Sequence, residues 1–586
     1  MLDDLGRRGI AFVAMEPLID GQVPDVADRE ERDGEWLWRL SDGGTVRLTI
    51  AHGDVARLTV ALEDIAASPL ALGVRVHVAG ARSYLRNGYQ SWDGSFFVAP
   101  GTPAGDGPPG KAPTLGFAMT ALLPLEGEGA LVIGFERHDR YQSRFRFGGS
   151  SERLSIDIET LLDRTGARES ETLLLFDGDA VEESLRDWSR KVAAASPIPP
   201  RLPARRITGW CSWYSLYAAI DEAAILDHLQ SAAAFRDARD VPLDVFQIDD
   251  GFTPEMGDWL DVKPQFPRGM KPLIDEIAAA GFRPGLWIAP FMVGNRSKLY
   301  ARHPDWVVQD RETGGPLVQM HFYGEFRWHK RSEEYYILDI THPDAKAYIR
   351  TVFRTWYREW GARYFKTDFM LFGAEHGPDR AVWHQPGRSR VAIWREMAAL
   401  IREEIGEDSL WLGCGCPLWA SIGYVDAMRI GRDIGVSWHG EYSAESLLRD
   451  QTTRNHASHI LWQADPDCIL LRDRFHHLSD AEVRSLALFA GLAGGVLMTS
   501  DRLSDLSEER ARLFALLLSL PSEICRFPSL GAQGKVIEQA LRLRGGETIV
   551  NHFNIGDHVE NMRLHGEISP HDSKLIVPDG MTIDAG

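Results

Sequence analysis

Aspartates and basic residues stand where strands should end. Tyr364-Phe365-Lys366-Thr367-Asp368 begins as the kind of aromatic and β-branched run that strands favour and finishes in an ammonium and a carboxylate. Val245-Phe246-Gln247-Ile248-Asp249-Asp250 ends in paired aspartates, and Ala427-Met428-Arg429-Ile430-Gly431-Arg432-Asp433 ends in an arginine and an aspartate. A single aspartate at a strand end is ordinarily a turn cap or an ion-pair partner. Three such sets in one chain ask for a common reason, and a barrel of parallel strands supplies one, because its carboxyl ends all open onto the face that carries the active site. Two carboxylates facing each other there can divide the work on a glycosidic bond, one as ionised nucleophile and the other as proton donor. Lys366, two residues before Asp368, is expected to favour the ionised form. That marks Asp368 as the nucleophile and leaves Asp433 as the acid.

Positioning these residues requires alternating strands and helices, and from about residue 204 the pattern supplies them. Eight strands are expected: Ile207 to Trp213, Asp244 to Asp249, Arg283 to Ala289, Ala362 to Asp368, Ser409 to Cys416, Ala427 to Asp433, Ile460 to Leu470 and Gly494 to Thr499. Amphipathic runs such as Leu273 to Ala280 and Ala345 to Trp360 lie between several of them, the signature of βα units closing into a (β/α)8 barrel. Asp368 and Asp433 are 65 residues apart (433 − 368), about two units at the roughly 31 residues per unit of a typical barrel. Before the barrel, period-two runs at Thr45 to Ile50, Arg57 to Leu62, Leu72 to Val78, Leu131 to Phe135, Leu154 to Ile158 and Thr172 to Phe176 predict a β-sandwich. Within it, Tyr84 to Trp92 is unusually aromatic for a loop. A helix over Ala180 to Ala195 and the proline-rich stretch Ser196 to Pro203 then mark a boundary. A helix over Glu508 to Leu520 closes the barrel, and short strands at Val536 to Ile537, Leu541 to Leu543 and Thr548 to Val550 predict a small β-domain. The expected division is 1–195 for the sandwich, 204–522 for the barrel and 523–586 for the C-terminal β-domain.

Composition narrows the partners. The 586 residues carry 64 Lys and Arg against 84 Asp and Glu, a net charge of −20 that repels a phosphate backbone and an anionic membrane. No run approaches the length of a membrane span, and the short apolar run from Ile10 to Met15 is no secretory core. The five cysteines (211, 414, 416, 468 and 525) show no disulfide or zinc spacing, as expected of a cytoplasmic protein with reduced thiols. His321, His329, His342, His376, His384 and His439 are scattered without ligand spacing, so no metal and no cofactor is expected. The 18 tryptophans are mostly core residues, but those at strand ends offer flat apolar faces with a donor, which suit a sugar ring.

Taken together, Gly209-Trp-Cys-Ser-Trp213-Tyr214, Phe246 to Phe252, Gly257-Asp-Trp259, Pro284-Gly-Leu-Trp287-Ile-Ala-Pro290, Leu338 to Pro343, Tyr364 to Phe369, Gly413-Cys-Gly-Cys-Pro417 and Met428 to Asp433 resemble glycoside hydrolase family 36, the α-galactosidases, in its shorter prokaryotic form. Asn87-Gly-Tyr-Gln-Ser-Trp92 extends the resemblance to the N-terminal domain. The resemblance implies a retaining hydrolase of terminal α-galactosides with Asp368 as nucleophile and Asp433 as acid/base. It further implies that Asp249 and Asp250 hold the galactose 4- and 6-hydroxyls, that Trp287, Trp213, Lys366, Arg429 and Cys414 line the same subsite, and that Trp92 reaches in from the sandwich. Thr367 stands where many members have tryptophan or isoleucine, Arg432 where proline is common, and Val293 to Tyr336 matches no family motif. A transglycosylase of the raffinose-synthase type would use the same pair with a different acceptor site. A non-catalytic sugar-binding protein would not need both carboxylates. The sequence leaves the oligomeric state and the natural aglycone open.

Overall fold

The computed structural model describes residues 5–32, 34–65, 68–106, 111–150, 152–321, 332–440, 443–520, 524–532, 534–543, 545–562 and 566–577. Its centre is a parallel sheet of nine stretches. Seven run in chain order as β1 (Thr208–Cys211), β2 (Val245–Ile248), β3 (Arg283–Ile288), β4 (Tyr364–Thr367), β5 (Leu410–Gly413), β6 (Ala427–Arg429) and β8 (Leu497–Thr499). The other two, Gln463–Asp465 and Cys468–Ile469, are halves of one strand, β7, interrupted at Pro466 and Asp467. The first half pairs with β6 and the second with β8, while β8 pairs with β1, so the ring closes as an eight-stranded barrel. All eight expected strands are present, each shorter than its apolar run. Asp433 lies beyond β6 in a bend, and Trp213 opens a short helix, Trp213–Leu216, after β1.

The strands are buried on both faces, as parallel strands covered by helices must be. Alternation sorts their side chains. Ile207, Cys211, Val245, Tyr364, Leu412, Ala427 and Met498 pack together in the barrel interior, whereas Trp210, Phe246, Leu286, Phe365, Trp411 and Met428 face the helices. The expected helices run Met270–Ala279, Pro343–Arg354 with a wider π-helical turn to Trp360, and Glu508–Ser519.

The sandwich consists of a five-stranded and a nine-stranded antiparallel sheet around a core that includes Trp36, Leu48, Val76, Leu131, Phe145 and Ile156. The six expected strands are present, and eight more join them. Among the additions, Ala81–Arg86 takes Tyr84 out of the expected loop and stacks its ring on Phe147 with centroids 4.0 Å apart. The segment from 196 to 207 contains no helix or strand, yet it is laid along the barrel: Arg201 reaches Asp426 at 3.1 Å, and Arg206 donates to the carbonyls of Gly491 and Gly495. At the far end, Val536–Arg542 is one strand where two were expected, in a four-stranded sheet with Cys525–Arg526, Thr548–Asn554 and Ser573–Ile576. The unmatched insertion folds in part into a three-stranded sheet of Met292–Gly294, Val318–His321 and Glu334–Ile337, and His329 falls outside the described residues.

What fixes the sandwich to the barrel mouth is a loop, Asn87 to Ser95, and an arginine behind it. Ser91 N–H donates to the carbonyl of Cys416 at 3.2 Å, Leu418 N–H donates to that of Tyr89 at 3.0 Å, and Gln90 bridges to Pro417. Arg454 closes the helix Ala444–Arg454 and is 2 % exposed. Its guanidinium donates to the carbonyls of Ser91 (2.7 Å), Ile430 (2.8 Å) and Asp93 and to the hydroxyl of Ser95 (2.9 Å), so one cation ties the loop to the residue that follows β6. Burial pulls this arginine down to about 10, still charged at neutral pH. Hydrogen bonds from a charged group contribute about 1.5–3 kcal/mol each. Arg454→Met should therefore cost at least about 3 kcal/mol, measured as a fall in Tm, together with a raised KM for any substrate bound beneath the loop. An unchanged Tm would mean that the loop docks without the arginine.

Candidate active site

Inward parity carries the site residues into the mouth. Continuing the interior positions of each strand by two leads from Val245 to Gln247 and Asp249, from Gly285 to Trp287, from Tyr364 to Lys366 and Asp368, from Leu412 to Cys414, from Ala427 to Arg429 and from Gln463 to Asp465.

Asp249 is 2 % exposed, and its Oδ2 accepts from Lys366 Nζ at 2.9 Å and Gln247 Nε2 at 2.6 Å. Its Oδ1 accepts from the N–H of Asp250 at 2.9 Å, and its own N–H donates to Ser212 Oγ at 2.8 Å. Asp250 is equally buried beside it. Burial alone would strip the proton from Lys366, but Asp249 and then Cys211, Cys414 and Asp368 outweigh it and hold the ammonium well above its ordinary range.

Asp368 Oδ2 accepts from the indole N–H of Trp287 at 3.1 Å and its Oδ1 from the N–H of Phe369 at 2.8 Å. Lys366 does lower this carboxyl, as the sequence predicts, although its ion pair is with Asp249. Burial is the larger influence and the charge of Asp433 adds to it, so Asp368 titrates above the usual aspartate range. β4, β5 and β6 are parallel neighbours, so their carboxyl ends open on the same side. The two carboxylates sit in different surroundings: Asp368 is 8 % exposed, whereas the side chain of Asp433 is 48 % exposed.

Arg429, fully buried, holds Asp433. Its Nη2 donates to Asp433 Oδ1 at 2.7 Å and Asp467 Oδ2 at 2.6 Å, and its Nη1 reaches Cys414 Sγ at 3.6 Å. Burial would discharge it, but Asp467, Cys414 and Tyr214 keep it charged. Burial pushes the Cys414 thiol well up, with Asp368 adding to the effect, so it stands just past β5 as a neutral thiol. Trp213, at the mouth end of β1, packs against the interior cluster with its ring 5.3 Å from that of Tyr217.

Trp92 reaches this face from the sandwich. Its ring meets that of Phe369 edge-on with centroids 5.1 Å apart. A Cβ placed on Gly415, which has φ +48°, would stand 2.7 Å from the indole, so that close approach needs glycine. Phe369 itself holds φ +51°, a strained conformation for an aromatic residue, and its N–H is the one that orients Asp368. Trp92 therefore buttresses the backbone behind Asp368. Its carbonyl accepts from Arg432 at 3.2 Å and from Lys111, which burial brings down to about 7.

Sequence reasoning missed Arg454, Tyr214, Asp465 and Asp467. Asp467 accepts from Arg429, from the N–H of Ile434 at 2.7 Å and from the hydroxyl of Tyr214. Gln463-Ala464-Asp465-Pro466-Asp467 is a fourth acidic strand end, so the signal used for the other three was present there as well.

A parallel barrel whose carboxyl-end mouth buries a carboxylate under an indole N–H, opposite a second and more open carboxylate, is the apparatus of a glycoside hydrolase. Residues 211–380 match the Melibiase family model. Over 114 residues the chain is 33% identical to a probable alpha-galactosidase G of Emericella nidulans, a match covering 17% of this chain and 15% of that protein. It is 24% identical over 243 residues to alpha-galactosidase C of the same organism, covering 38% and 28%. These matches span less than a third of the curated relatives' lengths. Among solved structures, the α-galactosidase TtGalA from Thermus thermophilus, in complex with p-nitrophenyl α-D-galactopyranoside, superposes with a TM-score of 0.64 and 26% identity over 84% of this chain and 98% of that one. The chain is thus similar to the Melibiase family over part of the barrel and to solved α-galactosidases over most of its length.

Two outcomes follow from this geometry. Trp287→Phe removes a donor to the ionised form of Asp368, so its pKa should rise further and the acid limb of the kcat/KM profile should move to higher pH. A limb that stays in place would mean that the indole does not hold the carboxylate. Gly415→Ala should push Trp92 off Phe369 and raise KM, as Trp92→Ala should with little change in Tm. Wild-type kinetics in both would refute the buttress.

Proposed function

We propose that the protein is a retaining α-galactosidase, releasing terminal α-linked galactose from oligosaccharides by double displacement. The observation that carries the proposal is the contrast between its two carboxylates: Asp368, held by Trp287 and the Phe369 N–H with both oxygens fixed, and Asp433, half-exposed on a bend where an aglycone would leave. Asp368 would attack the anomeric carbon while Asp433 protonates the departing oxygen. Asp433 would then deprotonate the water that releases the sugar. Nucleophile and proton are both supplied by side chains, so the chemistry calls for no cofactor. Asp249 and Asp250 would accept from the galactose 4- and 6-hydroxyls, with Lys366 fixing the first of them. Trp213, Trp287, Cys414, Arg429 and Trp92 would complete the subsite.

Three domains would divide the work: 1–195 bringing Trp92, 204–522 the catalytic barrel and 523–586 the C-terminal sheet. No helix among the described residues is long and apolar enough to cross a membrane. The five cysteines are buried and unpaired, in keeping with a cytoplasmic enzyme.

Buried acceptors reject a sugar that leaves them unpaired by a factor of about 10⁴ or more, so nitrophenyl α-galactoside should be hydrolysed far faster than the α-glucoside. Asp433→Ala should lower turnover of natural galactosides about 10²–10⁴-fold and spare activated aryl substrates. Asp368→Gly should be inactive and recover with azide, giving the β-galactosyl azide. NMR of the first product formed by the wild type should show α-galactose. Initial β-galactose would remove the nucleophile role from Asp368.

A further inference from the structure

We propose that His439, His571 and Asp557 form a divalent transition-metal site of the zinc class, which ties the loop carrying Asp433 to the C-terminal sheet. From the sequence, His439 is an ordinary surface histidine, 118 residues from Asp557, with His571 a further 14 residues on. Folding brings the three together, their ligand atoms all within 4.8 Å of one another. Nε2 of His439 and Nε2 of His571 each lie 3.1 Å from the same oxygen, Oδ1 of Asp557.

The proton inventory points to a cation. Nδ1 of His439 faces Glu445 Oε2 at 3.2 Å, and Nδ1 of His571 faces Glu482 Oε1 at 2.6 Å. All four ring nitrogens therefore face carboxylate oxygens. A neutral imidazole has one N–H and one lone pair, so with both rings neutral two lone pairs would point at anions. Either each ring carries a second proton, or a cation stands between the two Nε2 atoms and Asp557 while both Nδ1–H groups donate to Glu445 and Glu482. The second arrangement is the one that metal-binding histidines adopt, their other ring N–H bound to a carboxylate that fixes tautomer and orientation. It occurs here twice.

The dimensions agree. Zinc bonds of about 2.0–2.2 Å to nitrogen and oxygen place neighbouring tetrahedral ligands about 3.3 Å apart, close to the two observed edges. Closing the third edge requires a small turn of His439, which is mostly exposed and free to make it. The rest of the frame is firm. The His571 ring stacks on buried Trp438 with centroids 3.9 Å apart, and Glu482 completes the capping box that starts the helix Asp480–Leu492. Two imidazoles and one carboxylate favour zinc, copper or nickel over magnesium or calcium. His439 lies six residues after Asp433 (439 − 433), so an ion here would fix the far end of the loop that carries the more open carboxylate.

The test uses the full chain, stripped with EDTA and titrated with Zn²⁺ against a chromophoric chelator, and with Co²⁺ followed by its d–d absorption. One equivalent of Zn²⁺ should bind with micromolar affinity or better and raise Tm, and Co²⁺ should give a tetrahedral spectrum. His439→Ala and Asp557→Asn, both at exposed positions, should each weaken Zn²⁺ binding at least tenfold and abolish the Tm shift. Absence of saturable uptake in the wild type would show that the cluster is held by protons alone and overturn the proposal, as would uptake unchanged in both variants.

Discussion

Burying several carboxylates in one barrel mouth is possible only because two cations are buried with them. Lys366 against Asp249 and Arg429 between Asp433 and Asp467 are the pairs on which the rest of the site depends. A desolvated ion pair is poor evidence of stability in its own right, but removing one partner strands a buried charge at a cost of about 3–5 kcal/mol. The arrangement is therefore self-enforcing: each aspartate needs its cation, and each cation would be discharged by burial without its aspartates. Asp368 has no direct ion pair. Its ionised form is supported by the nearby charge of Lys366, the Phe369 N–H and the Trp287 indole, but burial outweighs them and it titrates high for an aspartate.

The second constraint is steric and crosses a domain boundary. Phe369 holds a left-handed conformation beside Asp368, and its ring is met from the sandwich side by Trp92. The contact is close because Gly415 leaves no Cβ in its way. Arg454 secures the loop that presents Trp92 by gathering carbonyls from both sides of the interface. The sandwich thus helps to shape the barrel mouth.

Much of this was legible in the chain. Parallel strands covered on both faces leave continuous apolar runs, and their spacing gave all eight barrel positions. Because side chains alternate, Asp249, Lys366, Asp368, Cys414 and Arg429 all lie on the inward parity of their strands. The same alternation yielded six sandwich strands. It failed where strands are short or carry polar residues on the covered face, as in Val26–Arg32 and Gln142–Gly149.

Which cation serves which carboxylate was decided only by the tertiary structure. Lys366 is two residues from Asp368 in sequence and does favour its ionised form, but its ion pair is with Asp249 just past β2, 117 residues away. Arg454 resembles any arginine at a helix end until the loop from the sandwich folds over it. His439 has no neighbour of its kind in sequence and gains His571 and Asp557 only when the C-terminal sheet docks. The physical reason is common to all three. Periodicity and propensity act between near neighbours along the chain, whereas charge, ligand geometry and burial act through space, and their partners exist only after the layers have packed.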